Sequence, residues 1–322
     1  YHLYISPYTR SDMSRPHSAI SHEFEWPTWL LVAGLYLGWG LTVAYWPALG
    51  HGWGSAALLL LTCWYMSLQH ELVHGHPTAS PKINRLLGLA PLAVWYPFDL
   101  YLYSHLIHHQ DEHLTRPGID PESNYLTADQ FAALPAWQKV CWRWQRSVVG
   151  RLVVGPALAI VPTWADIVRK PLRGDWSQTA SWAEHLLLLA GMLWALQHWA
   201  GISPLHYVLI TYPALGLAML RSLYEHRPAN RPAHRIAINE AGLFWRLLYL
   251  NNNFHVVHHE TPTMPWYRLR STYLADRAGY LQRNGGFLVP GYGHLIRRFA
   301  LQPIDSPVLP EDLVPAARAH SR

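Results

Sequence analysis

The stretch GWGSAALLLLTCWYMSLQHELVHGH, residues 52–76, joins a long apolar segment directly to three histidines. Residues 51–68 have the length that an α-helix needs to cross a bilayer core, about 17 to 25 residues. His70 and His74 are four residues apart and therefore project from one face of a helix. Because imidazole is the commonest metal ligand in proteins, the stretch predicts a membrane-crossing helix that ends in two metal ligands.

Further histidine clusters follow along the chain. The segments HLIHHQDEH (105–113) and HVVHH (255–259) both contain H-x-x-H-H, and the looser EHRPANRPAH (225–234) contains the isolated His226. Nine imidazoles are too many for one four-coordinate ion, so we expect two metal ions with four or five ligands each. The expected ligands are His70, His74, His105, His108, His109, His226, His255, His258 and His259.

The composition indicates a membrane protein with a large polar part. Half of the 322 residues are hydrophobic, 14% are charged, and 17 Trp and 18 Tyr provide the rings that anchor at membrane interfaces. The two cysteines, Cys63 and Cys141, exclude a disulfide framework and a four-thiolate iron–sulfur site. We expect both to be small buried hydrophobic residues.

The apolar segments predict an all-α polytopic membrane protein. The whole chain, 1–322, is expected to form one domain with crossings at about 29–46, 51–68, 182–199 and 202–220. Two further segments, 83–103 and 148–164, contain prolines and charges and are expected to be interfacial or re-entrant. This assignment places an even number of crossings between the histidine clusters, so that all of them lie on one side of the membrane.

Charge predicts which side that is. Arg and Lys are concentrated in residues 139–173 and 221–246, so the histidine-bearing side is expected to be cytoplasmic. The cytosolic helical cap is expected at about 69–181 and 221–300, and the tail 303–322 is expected to be extended over the surface or disordered. No signal peptide is recognised, so we expect the first hydrophobic segment to be a retained anchor.

Two other classes of protein are compatible with parts of the pattern. The motif HELVH matches H-E-x-x-H, in which His70 and His74 would bind zinc and Glu71 would act as the base of an intramembrane protease. That hypothesis leaves both H-x-x-H-H clusters unexplained. A metal transporter would need ionisable residues midway along the crossing helices, and the predicted crossings contain few.

The order of the boxes, H-x-x-x-H, H-x-x-H-H, an isolated His and H-x-x-H-H, resembles the integral-membrane fatty acid desaturase superfamily. The resemblance extends to HGHPT, HLTRPGIDPES, RSLYEH and NNNFHVVHHETPTMPWYRL and covers roughly residues 29–269. This superfamily includes desaturases, alkane and fatty acyl hydroxylases, carotenoid ketolases and fatty acid decarboxylases. The resemblance implies four crossings, a cytosolic cap, a non-haem di-iron centre and O₂-dependent attack on an unactivated C–H bond.

Residues around the metal ligands are expected to offset the positive charge. Ligating histidines usually donate their second N–H to a carboxylate or a carbonyl. The candidates are Glu71, Asp111, Glu112, Glu225 and Glu260, with Asn252 placed to support His255. Asp120 is expected to cap or turn the loop ahead of Pro121 instead. His76, His113 and His234 are left outside the ligand set.

The resemblance also implies partners. The chain contains no dinucleotide-binding glycine motif and no cysteine cluster, so electrons must come from a ferredoxin, rubredoxin or cytochrome-type donor with its reductase. The Arg-rich segments 143–173 and 221–246 are expected to dock this donor. We expect a long-chain fatty acid, acyl or alkane-like substrate that enters from membrane lipid, in a bacterial inner membrane, and no nucleic acid. Desaturation, hydroxylation and decarboxylation remain open.

Overall fold

The computed structural model describes residues 24–313, apart from the side chains of Asp111 and Asp312. In chain order its α-helices are α1 Trp26–Ala44, α2 Trp46–Val73, α3 Pro81–Gly88, α4 Phe98–His108, α5 Ala128–Ala132, α6 Ala136–Trp144, α7 Val148–Val153, α8 Gly155–Leu172, α9 Thr179–Ala200, α10 Pro204–Arg221, α11 Leu243–Leu248, α12 His255–Glu260, α13 Trp266–Ala275, α14 Arg277–Arg283 and α15 Tyr292–Phe299. Two short parallel strands, β1 Ile238–Asn239 and β2 Leu288–Val289, pair within this helical fold. The prediction of a mainly helical protein is therefore confirmed.

The long helices pack around α2. Helices α1 and α10 both contact α2, and α10 also contacts α7. The approach of α10 to α7 depends on Gly216, because a Cβ atom at this position would lie 2.4 Å from the carbonyl oxygen of Leu152. Helix α2 is kinked at Gly50, where φ is 68°, directly before the predicted crossing 51–68, but α2 is not among the helices that are long and apolar enough to cross a membrane.

The helices that can cross a membrane differ in part from the four predicted crossings. Within residues 24–313, α1 and the segment Val148–Leu172 are long and apolar enough, and α9 with α10 passes the same test only as a pair bent by 115°. The segment Val148–Leu172 includes residues that we expected to be interfacial, because its helices continue past Trp164 to a length of 25 residues. The four-crossing arrangement and the cytosolic cap stay predictions.

The predicted interfacial segment 83–103 is broken. It is divided between α3, with eight residues, and α4, with 11 residues, and each is shorter than the roughly 17 residues that a crossing requires. Between them the backbone turns at Val94, which has a φ of 70°. The segment therefore brings the second histidine cluster close to the first without a helical crossing in between.

The helix of the second histidine cluster ends earlier than the sequence suggests. The first helix-ending signal in the sequence after this cluster is the pair Pro117-Gly118. However, α4 ends at His108, His109 is its C-cap residue, and a separate 3₁₀ helix spans Asp111–His113. Beyond the 3₁₀ helix the chain turns back, and the side chain of Asp120 accepts a hydrogen bond from the backbone N–H of Thr115 at 2.9 Å.

The described part of the tail packs against the cap. The backbone of Leu126 donates to Pro307 and accepts from Leu309, at 2.8 Å in each case. Leu309 is 2% exposed, and Asp305 forms an ion pair with Arg146 at 2.6 Å. The described part of the tail is thus anchored by buried contacts. The predicted tail residues 314–322 lie outside the described residues.

Candidate metal centre

The histidine clusters lie at helix ends. His70 is in the last turn of α2 and His74 is the C-cap residue of that helix, a position that His109 occupies in α4. His226 follows α10, where its backbone forms a bridge with Ile236. The negative end of the helix dipole stabilises nearby cations, so both α2 and α4 present a favourable potential to a metal ion.

The nine expected ligands converge in two groups. Within each group the candidate ligand atoms all lie within 4.8 Å of one another. The five-histidine group consists of His70, His74, His105, His109 and His258. The four-histidine group consists of His108, His226, His255 and His259. The geometry is that of two adjacent candidate metal sites, and metal binding by these residues stays a prediction.

The imidazole nitrogens face one another. His105 Nε2 lies 3.0 Å from His74 Nε2 and 3.1 Å from His109 Nε2. In the other group, His226 Nε2 lies 3.0 Å from the Nε2 atoms of both His108 and His255. Two nitrogens bound at right angles to one ion, at about 2.1 Å each, would be about 3 Å apart. The spacing within both groups therefore fits a shared cation.

Two carboxylates fix the tautomers of facing histidines. Glu122 Oε1 lies 2.9 Å from His105 Nδ1, and Asp120 Oδ1 lies 2.9 Å from His108 Nδ1. When Nδ1 donates to the carboxylate, Nε2 carries the lone pair that a metal ion accepts. The expectation that Asp120 shapes its loop is confirmed by its hydrogen bonds from the backbone N–H groups of Thr115 and Glu122, and its side chain also contacts His108.

Sequence reasoning overlooked Glu122 and underestimated Asp120. Both belong to HLTRPGIDPES, one of the stretches that carry the resemblance, and the prolines and glycine of this stretch indicate a loop. The useful signal was the presence of two acidic residues, two positions apart, in a short loop that directly follows a histidine cluster.

Asn252 contacts both histidine groups. Its Oδ1 accepts a hydrogen bond from His255 Nδ1 at 3.0 Å, and its Nδ2 lies 3.0 Å from His70 Nε2. Glu225 also lies near His255, with 3.8 Å between Glu225 Oε1 and His255 Nδ1. The carboxylate of Glu225 forms an ion pair with Arg221 at 3.2 Å. Both residues therefore lie where the sequence analysis expected supporting groups.

Glu71 lies beside the five-histidine group. Its Oε1 is 3.5 Å from His70 Nδ1, and its Oε2 accepts a hydrogen bond from the backbone N–H of Trp266 at 3.1 Å. Asp111 belongs to the 3₁₀ helix that follows α4, and its side chain lies outside the described part of the structure. Its expected role stays a prediction.

The other acidic candidates point elsewhere. Glu112 is exposed, and Glu260 forms an exposed ion pair with Arg283 at 3.0 Å. His76 contacts Glu25 at 2.6 Å, and His234 packs beneath Gly285. Among the described residues, neither His76 nor His234 belongs to either histidine group, and His113 does not either.

Burial and charge act in opposite directions on the imidazoles. Burial lowers the pKa of His255 and His259 well below the ordinary value, which keeps both rings neutral and able to act as ligands. Burial also lowers the pKa of His108, but Asp120 and Glu122 outweigh it and raise that pKa to about 9. The same carboxylates would stabilise a metal cation bound at this position.

A cavity of about 420 Å³ opens beside the histidines. His105, His108, His226 and His255 line one part of it, and its remaining walls combine polar residues of the 117–126 loop with apolar residues of α8 and α10. A volume of several hundred Å³ with mostly apolar walls is typical of a small-molecule site. The candidate metal centre is therefore adjacent to a space that an apolar ligand can occupy.

The fold and the site together define a class of protein. The chain is a helical protein with membrane-spanning candidates and two buried polyhistidine groups beside an apolar cavity. The family model described as "Fatty acid desaturase" matches residues 46–288, which is more than half of the chain. The chain belongs to the fatty acid desaturase family. A comparison with curated proteins finds no match.

The family match has informative limits. It begins at the first residue of α2 and ends in β2, so it includes all nine expected ligands and both acidic residues of the 120–122 loop. Membership implies an oxidoreductase, and the two histidine groups are compatible with its metal site. Helix α1 and the packed tail lie outside the match.

Proposed function

We propose that this protein is an O₂-dependent, non-haem di-iron oxidoreductase that acts on a C–H bond of a long-chain lipid, with desaturation as its reaction. The observation that carries the proposal is the convergence of nine histidines into groups of five and four beside a mainly apolar cavity. The overall change would be RCH₂CH₂R′ + O₂ + 2e⁻ + 2H⁺ → RCH=CHR′ + 2H₂O.

The donor set fits two irons. Imidazole binds Fe as well as Zn, Cu and Ni, so the choice of iron rests on the family rather than on the ligands. Bound iron would supply the oxidising power to remove hydrogen from an unactivated carbon. Imidazole bound to a metal is a neutral ligand, and the carboxylates of Asp120, Glu122 and Glu225 lie close to the histidines.

The protein's own residues would orient the ligands and the substrate. Asp120 and Glu122 hold the imidazoles of His108 and His105 through their Nδ1 atoms, which directs Nε2 toward each group. The apolar walls of the cavity would exclude water and hold a hydrocarbon chain against the histidines. Hydroxylation and decarboxylation on the same centre are the alternatives, and product analysis distinguishes them.

A zinc protease is less well supported by the surroundings of Glu71. This residue is 2% exposed, and its carboxylate accepts a hydrogen bond from the Trp266 backbone. His70 and His74 share their group with three further histidines, whereas a zinc protease needs only one additional ligand. We therefore retain the desaturase proposal.

An external electron donor remains part of the proposal, but its docking surface needs correction. Arg146 and Arg151 are 1% exposed and Arg235 is 5% exposed, so these residues of the expected Arg-rich segments cannot contact a carrier. They are buried because they serve internal contacts, such as the pairing of Arg146 with Asp305. We propose that the metal site faces the cytoplasm of a bacterial inner membrane, where an acidic carrier would use the exposed arginines.

Metal and product analysis test this function. Purified protein is expected to contain two irons per chain and to convert a fatty acid, an acyl thioester or an alkane in the presence of O₂ and reductant. The products separate a double bond, a hydroxyl group and a terminal alkene. One zinc per chain together with peptide cleavage would reject the proposal, and His198→Ala, an exposed histidine outside both groups, serves as the control.

A further inference from the structure

The cavity wall contains a buried cation whose hydrogen-bonding capacity is only partly used. Arg151, on α7, is 1% exposed and lines the same cavity as His108 and His226. Its Nη1 donates to Asn124 Oδ1 at 2.7 Å. Its Nε and Nη2 atoms are buried and have no hydrogen-bond partner among the described residues. An incompletely paired guanidinium group is costly in such a place.

Two other arginines near the cavity differ from Arg151 because each pairs with a carboxylate. Arg146 pairs with Asp305 at 2.6 Å, and Arg221 pairs with Glu225 at 3.2 Å. Arg151 has a neutral amide as its partner in place of a carboxylate. An ionisable side chain within a segment apolar enough to cross a membrane usually marks a functional site. The protein thus balances two of these cations internally and leaves the third able to bind an anion.

One loop connects Arg151 to the candidate metal centre. Asp120 contacts His108, Glu122 contacts His105, and Asn124 accepts the hydrogen bond from Arg151. Asp120, Glu122 and Asn124 occupy every second position of a five-residue stretch. Because neighbouring Cα atoms are about 3.8 Å apart, the three residues lie close together in the loop. A group bound by Arg151 would therefore lie in the part of the cavity beside the histidines.

We propose that Arg151, oriented by Asn124, binds the carboxylate of a free long-chain fatty acid. The Nε and Nη2 atoms form one edge of the guanidinium plane, which can donate two parallel hydrogen bonds to a carboxylate. The apolar residues of α8 and α10 would hold the hydrocarbon chain. This inference rests on the proposed function and sharpens it. An acyl thioester lacks the pair of anionic oxygens and would not form these two hydrogen bonds. A bound fatty acid would have its carboxyl end nearest the histidine groups.

Binding measurements test the carboxylate subsite independently of turnover. The metal-loaded full chain in detergent is equilibrated with radiolabelled hexadecanoic acid or 1-hexadecanol, which differ at the head group only. We expect the acid to bind about 10- to 100-fold more tightly than the alcohol, as a charge-assisted hydrogen bond predicts. Arg151→Gln should remove this preference and Arg151→Lys should keep part of it.

A matched control separates a local role from a general effect of charge. Arg169→Gln makes the same change at an exposed position of α8 and should keep the wild-type preference. Equal affinity of the wild-type protein for acid and alcohol would overturn the inference, even if Arg151 variants do not fold. An unchanged preference in Arg151→Gln would overturn it as well.

Product analysis separates this inference from the proposed function. Oxidation of an acyl thioester with no action on the free acid would leave the function intact and reject the carboxylate subsite. Selective binding of the acid, without iron or any lipid oxidation, would support the subsite and reject the function. A product modified only in the middle of the chain would contradict the placement of the carboxyl end.

Discussion

The five-histidine group and the four-histidine group share the two H-x-x-H-H boxes but have different surroundings. Three of the four histidines in the smaller group line the cavity, whereas among the described residues of the larger group only His105 does. Metal sites with a full set of protein ligands are typically structural, and sites with an open position are typically catalytic. Under the proposed function, we therefore expect the four-histidine group to make most of the contacts with the substrate.

Each H-x-x-H-H box contributes to both groups. In the second box His108 joins the four-histidine group while its neighbours join the larger one, and in the third box His258 is separated from His255 and His259 in the same way. A helix directs successive side chains about 100° apart, so adjacent histidines must point to different centres. One H-x-x-H-H box therefore does not correspond to one candidate metal site, because each site combines histidines from several boxes.

The largest effect is expected when one histidine is removed from each group in turn, which tests directly whether the two groups differ. His226→Ala leaves three imidazoles beside the cavity and should abolish lipid oxidation with loss of about one iron per chain. His74→Ala leaves four imidazoles in the larger group and should retain more metal and measurable activity. Iron content and product rate are measured for both, with His198→Ala as the control. Equal loss in the two variants would show that the groups are equivalent.

Supporting carboxylates should give the next largest effect. Asp120→Asn and Glu122→Gln each remove the charge from one histidine partner, and losses of such groups cost about 10- to 100-fold in metal affinity or activity. We expect the larger loss for Asp120, because it also accepts the backbone N–H of Thr115. The test is iron retention during titration with a chelator. A larger loss in Glu122→Gln would contradict this ranking.

A change in helix packing should affect the two histidine groups differently and have a smaller effect than the loss of a supporting carboxylate. In Gly216→Ala the new methyl group would meet the Leu152 carbonyl oxygen, and α10 would have to move, at about 1–3 kcal/mol. Because α10 leads to His226, we expect weaker metal retention in the four-histidine group. Thermal unfolding and iron content are the measurements. Gly34→Ala, where no atom lies within 4 Å of the new Cβ, is the matched control.

The smallest effect is expected away from both groups. Glu240 accepts hydrogen bonds from Arg277 and Tyr273, and the Arg277 interaction lowers the pKa of Glu240 despite partial burial. Its stabilising effect should therefore be present at neutral pH and be lost as pH falls through the lowered pKa. Glu240→Gln should slightly lower the melting temperature at pH 7 but not at strongly acidic pH. Its iron content should equal that of the wild-type protein.

Much of the candidate centre was predictable from the sequence. Helical spacing selected eight of the nine histidines, all except the isolated His226, and the position of Asn252 three residues before His255 indicated their contact. The division into groups was not predictable, because it depends on the angle at which α2, α4 and α12 meet. Asp120 and Glu122 were difficult to assign because the early end of α4 and the return of the loop create their contacts.

The membrane-spanning segments show a similar limit. Apolar length located α1, but it did not show that the helices after Val148 would extend to Leu172. Proline and arginine suggested an interruption of this segment, yet Arg151 and Pro162 lie within helices α7 and α8, and both of these helices pack against α10. Local composition is thus a weak guide to the length of such a segment.

The anchored tail affects the point during synthesis at which the candidate metal centre can be completed. The loop that holds Asp120 and Glu122 continues into Leu126, whose backbone bonds to Pro307 and Leu309, residues synthesised long after the histidines. The nascent chain could therefore carry all nine ligands before their supporting loop is fastened. Contacts of such large sequence separation form late in folding. We expect stable metal loading to follow release from the ribosome, and chains that stop before residue 304 to be poorly metallated.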